Sequence, residues 1–154
     1  MNSIEETFVT NFIQKSRRER SLFELGSESR RGKFLNRLCH DFAAVLDSRY
    51  LQPLHGAVDA FSLLKLLQKN GAQQDGYLIS SNDAVDGRHL PLQEAINAVV
   101  GFGLPSVLIC VPDSLAYFEA EQVQGAPPRF LLVRRRGTQQ ALGADSPVSG
   151  LYSL

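Results

Sequence analysis

The stretch SVLICVPDSLAYFEAE, residues 106–121, decides how the rest of this chain is read. Its first six residues are apolar nearly throughout and lack the polar alternation of a half-exposed strand. A run of that kind suits a strand covered on both faces. Pro112, Asp113 and Ser114 then signal a turn. Residues 115–121 alternate, with Ala116, Phe118 and Ala120 on one side and Tyr117, Glu119 and Glu121 on the other.

Moving toward the C-terminus, residues 122–128 read as a loop and 129–135 as a last strand. A hairpin about that loop sets Glu121 opposite Arg129, as a cross-strand ion pair, and Tyr117 opposite Val133. Beyond Gly137 the sequence is rich in Gly, Ser, Ala and Gln, so 137–154 is expected to be a flexible tail in which Leu151, Tyr152 and Leu154 could dock. In the other direction, Gly101 and Gly103 end a helix that Pro91 starts. Before it come the strand 77–80 and the loop 81–88.

The first half is helical. Asn2 or Ser3 can cap a helix whose Ile4, Phe8, Phe12 and Ile13 form one stripe. Apolar spacing fades over 14–21, resumes at Leu22, Phe23 and Leu25, and Gly26 closes that segment. The clearest helix covers 28–46, with Phe34, Leu35, Leu38, Phe42, Val45 and Leu46 within about a third of its circumference. A fourth starts near Asp59, with Phe61, Leu64 and Leu67 toward the core, and ends at Asn70-Gly71.

Helices followed by strands define the α+β class. The expected architecture is three to four helices packed on a roughly four-stranded antiparallel sheet with one inserted helix. The expected organisation is a single domain over 1–136, divisible near 53–56 into a helical part (1–52) and a sheet part (57–136).

At 154 residues, with 44% hydrophobic and 21% charged residues, the chain has the size and composition of one globular domain. Sixteen basic and sixteen acidic residues cancel, so bulk charge favours neither a nucleic-acid nor a membrane partner. No apolar run approaches the roughly 18–20 residues that span a bilayer. Residues 1–15 lack the basic start of a secretory signal, and Cys39 and Cys110 lie in apolar surroundings that suit reduced thiols. The expected compartment is the cytoplasm.

Zero net charge conceals a segregation. Residues 15–37 hold eight basic and three acidic side chains, whereas 75–121 hold seven acidic and one basic. On the 28–46 helix, Arg30, Lys33, Arg37 and His40 form a basic stripe suited to phosphate, RNA or an acidic protein. The simpler use of the stripe is a solvated face paired with the acidic half.

Candidate chemistry is sparse. His40-Asp41 matches the dipeptide of metal-dependent HD phosphohydrolases, but His55 and His89 are the only other histidines, and adjacent helical residues point about 100° apart. Residues 80–87 partly fit a calcium loop, yet Ala84 and Gln93 occupy ligand positions. Asp83, Asp86 and His89 could build a hydrolytic site there, with His89 as general base. No cofactor and no metal site is implied.

The leading expectation is a small non-catalytic, bacterial-type binding protein, of which an immunity or regulatory inhibitor is one instance. It would bind another protein through the basic stripe or through a strand face at Tyr117, Glu119 and Glu121. The first alternative is a nucleic-acid or phosphate binder using Arg17, Arg18, Arg20, Arg30, Lys33 and Arg37. The second is the hydrolase just described. A homodimer through the last strand is also expected to be open to the chain, because its residues 130–133 need cover on both faces.

Overall fold

Asn2 accepts a 2.9 Å hydrogen bond from the Glu5 amide through its side chain and so starts α1 (Ser3–Phe12). That bond satisfies one of the amides a helix start leaves bare. The computed structural model describes residues 2–56 and 58–135. Within them the helices continue as α2 (Arg18–Leu25), α3 (Glu28–Val45), α4 (Ala60–Lys69) and α5 (Leu92–Val99). The strands are β1 (Leu51–Pro53), β2 (Asp75–Ser80), β3 (His89–Pro91), β4 (Ser106–Val111), β5 (Leu115–Glu119) and β6 (Arg129–Val133). The expected tail 137–154 and Arg136 lie outside the described residues.

The chain punctuation works as the residue types dictate. The Gly26 amide closes α2 on the Leu22 carbonyl, and Asp59 caps α4 by accepting from the Ser62 amide at 2.7 Å. Gly71, at φ +111°, takes the left-handed turn out of α4 that side chains resist.

The six strands form one sheet in the order β1-β6-β5-β4-β2-β3, every neighbouring pair antiparallel. This is an α+β fold with helices on both faces. Ile79, Val107, Ile109, Ala116, Phe118 and Leu132 point to a core shared with Phe8, Phe12, Phe34 and Leu38 of α1 and α3. Leu78, Leu108, Tyr117 and Leu131 point the opposite way, to Leu63 and Leu67 of α4 and Ala95, Ile96 and Val99 of α5. Hence 106–111 is apolar at successive positions: both of its faces are covered. Each such side chain contributes about 1.5–3 kcal/mol by leaving water. Gly76 lets the second layer approach, since a Cβ there would run into the Leu108 side chain.

Several expectations are corrected. The sheet has six strands, because the three-residue β1 and β3 occupy its two edges. Both contain proline, which an edge strand tolerates and a central one does not. The hairpin register is two residues from the expected one: Glu119, not Glu121, faces Arg129, and Tyr117 faces Leu131. A two-residue shift leaves every side chain on its own face, so alternation alone could not detect it. On α4, Leu63 and Leu67 are buried while Phe61 is 66% exposed. The cover on both faces expected from a homodimer through the last strand is supplied within the chain: Leu131 and Leu132 of β6 are buried in the two opposite layers, and β6 lies between β5 and β1.

The first-half helices and the sheet share an apolar core, and β1 extends that sheet from residues just before 53–56. Among the described residues no helix is long and apolar enough to cross a membrane.

Candidate functional site

The basic stripe on α3 divides into residues with different surroundings. Arg37 turns inward against α2, where its Nη2 donates to Glu24 Oε1 at 2.7 Å and to Ser21 Oγ at 3.3 Å. Glu24 is buried and also takes Arg20 Nε at 3.1 Å. Arg37 therefore serves as a counterion between helices. Its Nη1 is buried with no hydrogen-bond partner among the described residues.

Arg30 behaves differently. Its Nε donates to the Phe23 carbonyl at 3.0 Å, and its guanidinium lies 4.0 Å from the centre of the Phe23 ring. That ring is 61% exposed. Phe23 was expected to join an apolar stripe, yet α2 buries Ser21, Glu24 and Leu25 and leaves Phe23 outside. Lys33, one turn after Arg30, is exposed and makes no ion pair with the described residues; the Arg20 side chain, one turn before Phe23, is 62% exposed. The result is an aromatic ring set among cations on the α2–α3 surface. Glu19 and Glu28 are exposed on the same two helices.

The second expected surface is interior. Tyr117 and Glu119 are fully buried. The Tyr117 hydroxyl donates to Glu119 Oε1 at 2.6 Å, Arg129 Nε donates to the same oxygen at 2.9 Å, and the Gly101 amide donates to Oε2 at 2.8 Å. Burial and Glu119 together raise the Tyr117 pKa well above the ordinary phenol value. Burial opposes charge on Arg129, but its bond to Glu119 outweighs that and holds the proton more firmly. These groups tie β5, β6 and the end of α5; they offer no face to a partner. Only Glu121 of that trio reaches the surface, half-buried.

Asp83, Asp86 and His89 do not converge into a reacting centre. Asp86 accepts Arg31 Nε and Nη2 at 2.9 and 3.0 Å and the Ser80 amide at 2.9 Å. Arg31 also reaches Glu5, at 2.9 Å, and Tyr77 donates to that carboxylate at 2.7 Å. Asn2 Nδ2 donates to the Tyr77 hydroxyl at 2.9 Å. Burial and then Glu5 push the Tyr77 hydroxyl up to about 12, away from any base or nucleophile role near neutral pH. His89 is exposed and meets the Tyr77 ring edge-on at 5.0 Å; Asp83 is exposed. Asn2, Glu5, Arg31, Tyr77 and Asp86 line a cleft of about 510 Å³, but its charges are already matched. The partners of this cluster lie 26 to 75 positions apart, so no local pattern in the sequence signals it.

His40, the last residue of the stripe, stands apart from Arg30 in a different setting. It is exposed beside Cys39, whose thiol donates to Glu121 Oε1 at 3.2 Å. Burial, and then Glu121, push that thiol up to about 11. Cys110 is buried in the core, and burial raises its pKa to about 12, so neither thiol is primed as a nucleophile.

No family model, curated protein or solved structure matches this chain.

Proposed function

We propose that this chain is a non-catalytic binding domain that docks an acidic protein surface on its α2–α3 face. The exposed Phe23 ring under the Arg30 guanidinium is the observation that carries the reading. Aromatic and arginine side chains are the usual anchors of protein interfaces, while cations around them suit a partner rich in carboxylates. The polar clusters favour the same reading. Glu5, Asp86 and Glu119 are each occupied by arginine and amide or hydroxyl donors, which leaves little for a reaction. Two free thiols, Cys39 and Cys110, support the cytoplasm as the compartment.

A protein partner fits better than RNA or DNA. Arg31 and Arg37 are spent on Asp86, Glu5 and Glu24, and Glu19 and Glu28 interrupt the remaining cations. A surface that tracks a nucleic-acid backbone needs several phosphate contacts and loses affinity steeply with salt.

Capture from a host lysate on the immobilised full chain, compared among variants, tests the proposal. Phe23→Ser combined with Lys33→Glu should abolish retention of at least one protein that Phe61→Ser retains, and nuclease treatment should change nothing. Identical capture by both variants, or loss of capture after nuclease, would contradict it.

A further inference from the structure

Cys39 and His40 lie on α3 just before Asp41, where the backbone departs from helical geometry (φ −153°, ψ 43°). Glu121 arrives from the segment after β5, 82 positions beyond Cys39. One donor atom from each of Cys39, His40 and Glu121 lies within 4.8 Å of the other two, with Cys39 Sγ already 3.2 Å from Glu121 Oε1. We propose that these three side chains bind one Zn²⁺ ion and leave its fourth position open toward the adjoining cleft.

The donor set is the first reason. Thiolate, imidazole and carboxylate together suit the borderline-soft Zn²⁺ ion better than Mg²⁺ or Ca²⁺, which take oxygen ligands. Spacing is the second. At Zn²⁺ bond lengths of about 2.0–2.3 Å, tetrahedral ligand atoms stand roughly 3.3–3.7 Å apart, so closure needs about 1 Å of side-chain movement. His40 is exposed and Glu121 half-buried, so that movement requires no rearrangement of the core. The thiol passes its proton to solvent as the ion binds.

Shape is the third reason. Two of the donors, Cys39 and Glu121, help wall a cleft of about 380 Å³ together with Phe42, Ala120, Val123, Gln124 and Pro128, and His40 is next to Cys39 in the chain. Three protein ligands, two of them in the wall of such a space, is the count of an open zinc site; structural sites close with four. The ion would also link α3 to the loop after β5. Val123 in that loop is 80% exposed, so the loop borrows little stability from the core. This inference is independent of docking at Phe23.

The chain has three histidines and two cysteines in all, so few residues compete. The full chain, stripped with chelator under reducing conditions, is titrated with ZnCl2 and separately with CoCl2. One equivalent should bind, and the cobalt form should show a thiolate-to-metal charge-transfer band. Cys39→Ser, His40→Ala and Glu121→Gln should each weaken zinc binding by more than the roughly 10- to 100-fold cost of losing a supporting residue. A His55→Ala, His89→Ala double variant should bind as the unaltered chain does. His40→Ala changes only an exposed side chain and decides the matter if either other variant misfolds. No saturable binding, unchanged affinity in His40→Ala, or a cobalt form without the charge-transfer band would overturn the proposal.

Discussion

In both the Glu5 cluster and the Glu119 cluster, a tyrosine hydroxyl donates to a buried glutamate and an arginine closes on the same carboxylate. The distances nearly coincide: 2.7 and 2.9 Å around Glu5, 2.6 and 2.9 Å around Glu119. What differs is reach. Tyr117, Glu119 and Arg129 belong to one hairpin, and only Gly101 joins from outside. Tyr77, Glu5, Arg31 and Asp86 come from β2, α1, α3 and the loop before β3. The same three side-chain types thus fix a strand register in one place and dock a helical layer in the other. Both resemble catalytic constellations by composition. Geometry shows each charge already answered, so composition alone misleads.

Removing an arginine from each cluster separates the two roles. Arg129→Met strands a carboxylate with no exposed surface and should cost about 3–5 kcal/mol, read by urea denaturation. Arg31→Met strands Glu5, whose side chain is 1% exposed. It should still cost less, about 2–3 kcal/mol, because Arg31 and Asp86 retain 15% and 17% side-chain exposure and line, with Glu5, an open cleft from which water can reach the carboxylates. Equal losses, or a larger loss for Arg31→Met, would break the distinction between a closed cluster and an open one.

Tyr77→Phe should have the smallest effect, about 1–2 kcal/mol at neutral pH, since it deletes one hydroxyl and leaves the ion pairs standing. Its pH signature is more specific. The folded state raises the Tyr77 pKa from 10.0 to about 12, holding the phenol proton more tightly than the unfolded chain does. Stability from this group is therefore complete below pH 10 and lost as pH rises through about 12. Denaturation curves across that window should fall less steeply in Tyr77→Phe than in the unaltered chain. Parallel curves would show that Tyr77 does not hold its proton in the way the Glu5 bond requires.

The sequence makes some of this fold plain and hides the rest for identifiable reasons. The α3 stripe, the Asn2 and Asp59 caps and the 106–119 hairpin follow from local periodicity and turn chemistry. β1 and β3 escape because three residues carry no period, and Pro53 and Pro91 read locally as breakers. Phe61 and Leu63 compete for the core on equal hydrophobic terms, and only the position of α4 over Leu78 and Leu108 selects Leu63. Of the candidate site residues, Arg30 and Lys33 were legible as a surface. Phe23 was not, because an apolar residue in an amphipathic segment reads as core. Glu5, Arg31 and Tyr77 give no local signal, since their partnership exists only after α1 and α3 settle on the sheet.

Native-state hydrogen exchange on Arg31→Met bears most directly on the claim that the Glu5–Arg31–Asp86 cluster is a helix-docking staple and not a reaction centre. Amides of α1 and of residues 80–88 should lose protection first, while those of β4, β5 and β6 keep theirs up to global unfolding. Uniform loss of protection across helices and sheet, or no loss anywhere, would contradict it.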